Sequence, residues 1–139
     1  MAVMSADERE KFLAESRVGV LSIGRDGKAP LAVPVWYDYE PGGEVLIWMQ
    51  RGSAKDRAIQ AAGQLSLTVQ HDNPPYRYVT VSGPVVDTSA SPTEEQAYRI
   101  ASRYVPEDEA RRYVAGSLGL DSVLVRVRAD RWLSTDHGK

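Results

Sequence analysis

Between residues 50 and 57 the chain reads Gln-Arg-Gly-Ser-Ala-Lys-Asp-Arg, bringing Arg51, Ser53, Lys55 and Arg57 into one short stretch. These residue types together suit an anion. A guanidinium can clamp phosphate oxygens in bidentate fashion, an ammonium adds a point charge, and the unpaired N–H groups of a helix start donate hydrogen bonds. Cations scattered around a turn are ordinarily solvated surface. What points to a site is their order: an apolar run (Val45, Leu46, Ile47, Trp48, Met49), an Arg-Gly-Ser turn, then a helical pattern carrying Lys55 and Arg57 in its first turn. That helix is expected over about residues 53–62, with Gly63 as its C′ residue.

The elements that must hold this stretch can be read from the rest of the chain. Ser5-Ala6-Asp7-Glu8 has capping-box spacing and opens a helix. Residues 17–24 are β-rich, and Asp26-Gly27 is a hairpin signal. The next strand, 29–39, contains Pro30 and Pro34, which remove two ladder donors, so it must bend, bulge or lie at an edge. Strands follow at 44–50, 64–70 and 76–87, the last interrupted at Gly83-Pro84, a pairing that marks a bulge or barrel corner. Ser91-Pro92-Thr93-Glu94 reads as a capping box opening a helix to about residue 104. A further helix starts at Pro106 and ends near 116–119. Strict alternation predicts one last strand over 122–132. Six strands and three or four helices, with no repeat and no linker, predict a single domain over 1–139. It is mainly β, a small antiparallel barrel with peripheral helices.

Composition removes several function classes. The chain has 139 residues, 42% hydrophobic and 26% charged, with a net charge of −2. This size buries roughly 70% of the unfolded surface and supports a real core. The charge balance gives no case for nucleic acid or an anionic membrane, so any positive field is local. Absence of cysteine excludes disulfides, thiolate metal sites and a cysteine nucleophile. The charged first 17 residues do not read as a signal peptide, and no apolar run reaches the roughly 20 residues of a spanning helix. A cytoplasmic location is expected. No Ser-His-Asp set, carboxylate pair or metal cluster is evident, and no side chain is nominated as catalytic or metal-ligating.

The opening helix, the strand RVGVLSIGRDGKAPLAVPVWYDY, the segment EVLIWMQRGSAKDRAI and the strand YRYVTVSGPVVD resemble the split-barrel flavin and deazaflavin oxidoreductases related to pyridoxamine 5′-phosphate oxidase. The PVWYDY and PPYRYVTVSGPV segments are most similar to the actinobacterial branch that uses coenzyme F420. The resemblance covers about residues 5–132. It implies a six-stranded antiparallel split barrel of the FMN-binding type, a homodimer, and cofactor grooves at the dimer interface. By position it implies that the cofactor phosphate meets Ser53 and Lys55, with Arg51 at the strand end and Arg57 as a weaker match. The tricyclic ring would lie against Pro34, Val35 and Trp36 and beside Trp48, Met49 and Gln50. Read as residues alone, Trp48 serves equally as core or as platform.

The expected activity is hydride transfer between F420 and a small conjugated, electron-poor substrate. The cofactor carries the chemistry and the protein orients it. FMN is the alternative cofactor, and a non-catalytic flavin carrier the alternative role. Arg25, Lys28, Arg57 and Arg77 could attract the acidic tail that F420 has and FMN lacks. A proton follows from solvent or from a nearby Tyr or Arg, with Tyr37, Tyr76 and Tyr78 as the tyrosine candidates. Homodimerisation is also expected from the VLIWM run, which lacks polar alternation and so must be covered on both faces.

Overall fold

A computed structural model describes residues 2–118 and 121–139. In chain order the elements are α1 (Ala6–Ala14), β1 (Gly19–Ile23), β2 (Leu31–Val35), β3 (Val45–Gln50), α2 (Ala54–Ala62), β4 (Gln64–Gln70), β5 (Arg77–Asp87), α3 (Glu94–Ala101), α4 (Glu107–Ser117), β6 (Ser122–Val127) and β7 (Arg131–Asp136). The strands run antiparallel in the order β2-β1-β4-β5-β6-β3, and β7 pairs with β5. The two ends of that path nearly meet. Asp38, just past β2, exchanges both backbone hydrogen bonds with Leu46 of β3, each at 2.9 Å. The sheet is therefore a split barrel, held across its seam by one bridge.

The strand expected over 122–132 is two strands: β6 is its share of the six-strand path, as the expected six-stranded barrel requires, and β7 pairs with β5 beside that path. The cause lies in β5. Its first half pairs with β7 and its last residues with β6, and the register shifts between Val85 and Asp87. The chain passes from β6 to β7 directly over Gly83. A Cβ at Gly83 would stand 1.8 Å from the carbonyl oxygen of Arg128, so only glycine admits the crossing. The barrel corner expected at Gly83-Pro84 is thus also what cuts the last strand in two. Pro34 sits where the sequence argument allowed, within β2 at the end of the strand path, with only β1 beside it.

Helix boundaries also shift. The cap of α3 is Thr93, in a reciprocal box with Gln96, while Ser91 instead donates to the Ser122 carbonyl at 2.9 Å. The helix ends at Ala101, and Pro106 is the N-cap of α4 rather than its first residue. The end expected for α4 near Gly116 to Gly119 is met at Ser117; Gly119 itself lies outside the described residues.

The barrel core is filled by alternate strand residues, among them Leu21, Ile23, Ile47, Leu67, Val69, Val79, Val123 and Val125, with Phe12 and Leu13 of α1. A second, smaller core lies outside the barrel. There Ala97 and Ala101 of α3 meet Ala110 and Val114 of α4, and Trp36 and Trp48 pack against them. Small residues let the two helices approach closely and lie over β3. The outer face of VLIWM is thus covered by this chain's own helices, so that run is not by itself evidence for a second subunit.

Candidate functional site

The stretch that opens α2 is a capped helix start with donors that could receive an anion. Gly52 takes φ +80°, a turn conformation other residues adopt at a cost, and Ser53 caps the helix. The Ser53 Oγ accepts from the Asp56 N–H at 3.3 Å, and the Asp56 carboxylate accepts from the Gly52 N–H at 2.7 Å. Gln60 also donates to Asp56, at 3.3 Å. Asp56 is buried, and its charge offsets part of the field of the helix start. Among the described residues, the N–H groups of Ala54 and Lys55 and the Lys55 ammonium have no partner. The Ser53 hydroxyl still has its proton to donate. Four donors are therefore available at one helix end, a set that fits a phosphate.

The two arginines of the stretch part company. Arg57 curls back to the Gly52 carbonyl at 2.5 Å and stays beside the cradle. Arg51 turns toward β6, pairing with Asp121 at 3.1 Å and donating to the Ser122 carbonyl at 3.4 Å. Beside α2 a cavity of about 360 Å³ opens against the β1–β2 turn, lined by Arg25, Lys28 and Arg57 together with Asp26 and the alanines of the helix. Three of the four basic residues nominated for an acidic tail thus share one cavity. The fourth, Arg77, lies over the Phe12 ring at 5.4 Å.

Strand alternation decides what the nominated ring-contact residues can offer. Val35 and Met49 point into the barrel core and their backbone groups face the ladders with β1 and β6, whereas Pro34 and Gln50 are exposed. Trp36 and Trp48 are half-buried on the outer face, on the two strands that diverge from the Asp38–Leu46 bridge. Two tyrosines that sequence reasoning missed complete this aromatic corner. Tyr104 stacks on Trp36, with centroids 5.0 Å apart and planes 9° off parallel. Tyr113 of α4 stands 5.4 Å from Trp36 and 5.5 Å from Trp48, edge-on to the latter. They come from the second helical pair, where no motif spacing links them to the strands. Only the topology brings them there.

Tyr104 is firmly held. Its hydroxyl donates to the Arg17 carbonyl at 2.7 Å and accepts from the Tyr37 N–H at 3.1 Å. Burial raises its pKa. Next to it, Arg103 donates to the carbonyls of Ala14 and Glu15 at the end of α1 and faces the buried Asp38 at 3.4 Å. Arg99 pairs with Asp38 at 3.6 Å and with Glu40. The helical pair is thus clamped to the exit of β2. Of the proton-donor candidates, Tyr37 is fully buried, donates to the Leu13 carbonyl at 2.6 Å, and is held protonated chiefly by burial. It is not placed to serve a substrate. Tyr78 bonds Thr135 and Tyr76 is exposed, both on the first part of β5 or beside it. No group of metal-ligating side chains occurs among the described residues.

The fold is a mainly antiparallel split barrel that carries a candidate anion site at one helix start and a half-buried aromatic corner. The comparison by sequence makes the assignment: residues 5–131 match the pyridoxamine 5′-phosphate oxidase family, and the chain belongs to it. That family is one of flavin-binding split barrels and includes oxidoreductases. No curated protein matches the sequence. Among solved structures, Rv2991 of Mycobacterium tuberculosis is similar at 26% identity, over 97% of this chain and 86% of that one, with a TM-score of 0.76. A structure described as an F420 reductase is similar at 23% identity over 89% and 94%, TM-score 0.70. An FAD-binding protein from Mesorhizobium loti follows at 20% identity over 96% and 93%, TM-score 0.68. No helix among the described residues is long and apolar enough to cross a membrane.

Proposed function

We propose that this protein is a coenzyme F420-dependent oxidoreductase acting on a small conjugated, electron-poor acceptor. The observation that carries the reading is the basic cavity of Arg25, Lys28 and Arg57 beside the helix start. FMN ends at its phosphate, which the Ser53–Lys55 cradle suffices to hold. F420 continues from its phosphate into an acidic tail, and the cavity offers that tail three cations. When bound, F420 in its reduced form would supply a hydride to the β-carbon of an enone, its ring N–H proton passing to solvent as solvent protonates the α-carbon.

The chain's own contribution is placement. Lys55, Ser53 and two backbone N–H groups hold the phosphate, while Pro34, Trp36, Trp48 and Gln50 offer the ring a platform. Stacking acceptor against ring in fixed orientation can remove roughly 7–11 kcal/mol of barrier. With Tyr37 spent on Leu13, the proton is supplied by solvent.

The reading includes a homodimer, supported by a different surface from the one the sequence suggested. Across β2, β1, β4, β5 and β7 runs the row Pro34, Val20, Thr68, Thr80, Leu133, and beside it Ala32, Ser22, Ser66, Ser82, Arg131. Nine of these ten side chains are uncharged, and Val20 and Leu133 are 42% and 60% exposed. A broad, neutral, partly apolar sheet face suits a second copy of the chain.

Titration with F420 and FMN, followed by fluorescence quenching, tests the cofactor. The double variant Arg25→Ala/Lys28→Ala should weaken F420 at least about tenfold, as expected for lost charge-assisted contacts, and leave FMN unchanged. Tighter binding of FMN than of F420 by the wild type would install the alternative. Binding of F420 without turnover of any acceptor would leave a carrier.

A further inference from the structure

We propose that Tyr113 of α4 is the specificity-determining wall of the acceptor site and selects flat aromatic acceptors over small aliphatic ones. The assignment rests on the reading that Trp36 and Trp48 border the reacting ring. Within the aromatic corner the four side chains are not equivalent. Trp36 is fixed on one side by the parallel Tyr104 ring, whose hydroxyl is tied to two backbone groups. Trp48 is wedged under the helical pair. Tyr113 alone bridges the two indoles, at 5.4 and 5.5 Å.

Tyr113 is also 46% exposed, and its hydroxyl has no hydrogen bond among the described residues. Neighbouring α4 residues Ala110 and Val114 are buried between the helices, so the backbone that carries Tyr113 is anchored, while about half of its side chain faces solvent. An exposed aromatic ring on a fixed backbone, set across two indoles, offers a π-face at little ordering cost. A flat conjugated acceptor gains that face; a cyclohexenone-sized aliphatic acceptor has no extended π-system to place on it. The sorting element is therefore supplied by the inserted helical pair, not by the barrel.

The test uses 1,4-naphthoquinone as the flat probe and 2-cyclohexenone as the aliphatic one. Quenching of tryptophan fluorescence by naphthoquinone, measured without cofactor, should be retained in Tyr113→Phe and weakened about five- to tenfold in Tyr113→Ala. Tyr113→Leu, which keeps apolar contact with both indoles, guards against unfolding of the alanine variant and should weaken the probe similarly. In turnover, Tyr113→Ala should raise KM for naphthoquinone by the same factor with kcat little changed, leave KM for cyclohexenone within about twofold, and leave F420 affinity unaltered. Equal naphthoquinone affinity in wild type, Tyr113→Ala and Tyr113→Leu overturns the assignment. Failure of F420 to bind, with the naphthoquinone pattern intact, overturns the cofactor reading and not this one.

Discussion

At the scale of single residues, spacing pointed to a candidate anion cradle but could not say which of its cations are available. Arg51 and Lys55 look interchangeable in the sequence. In the fold Arg51 is drawn to Asp121, 70 residues away in sequence, and no local pattern reports such a partner. Lys55→Ala is therefore expected to weaken cofactor binding by about 1.5–3 kcal/mol, the range for a hydrogen bond to a charged group, with the melting temperature unchanged. Arg51→Ala should move cofactor affinity less than Lys55→Ala does. Because its ion pair is half-exposed, it should cost under about 1 kcal/mol of stability. Paired cofactor titrations and urea melts of the two variants check both statements; equal loss of affinity would mean that Arg51 leaves Asp121 for the ligand. The Trp36 and Trp48 side of the site was legible as residue types, but Tyr104 and Tyr113 were not, since stacking across elements has no sequence period.

At the scale of elements, strands β1 to β5 were legible because alternation and turn residues are local signals. The division of β6 from β7 was not legible, because it follows from a crossing over Gly83 that only the assembled sheet creates. Gly83→Ala should cost at least about 2 kcal/mol, since the clash is with backbone rather than a movable side chain. A urea midpoint shift under constant slope would record it, and a neutral result would show that the crossing relaxes freely. The helical pair depends on Tyr104 in a similar way. Tyr104→Phe keeps the stack on Trp36 but strands the Tyr37 N–H and the Arg17 carbonyl, a loss of about 1–3 kcal/mol. Circular dichroism in the aromatic region should change little in this variant, because the rings remain stacked.

At the scale of the whole molecule, the largely uncharged sheet face predicts a dimer of the 15.3 kDa chain by light scattering. Val20→Glu should yield monomers and weaken cofactor binding with them; a wild-type monomer at micromolar concentration would remove this part of the reading. Alkaline stability has a stated sign. Burial, with the nearby Glu10 carboxylate second, pushes Tyr39 up to about 12 from its ordinary 10.0. A raised folded-state pKa gives stability that is fully present below the unfolded value and lost as pH climbs through the folded one. Stability should hold below pH 10 and fall between about 10 and 12, with Tyr37, also raised by burial, extending the loss. In Tyr39→Phe the slope over that window should be shallower by urea melts at stepped pH.

Among the described residues, the backbone seam of the barrel rests on one pair of hydrogen bonds, Asp38 to Leu46, whereas β4 and β5 share seven consecutive paired positions. Opening that rung unzips no neighbouring ladder, so it is a local event of low free energy. In deuterium oxide the amides of Asp38 and Leu46 should exchange far sooner than those of Leu67 or Val79. A ligand bound between the diverging strands would slow those two amides and few others. Their exchange rate then reads occupancy of the cleft without any assay of turnover, and it does so for molecules that carry no colour and undergo no reaction.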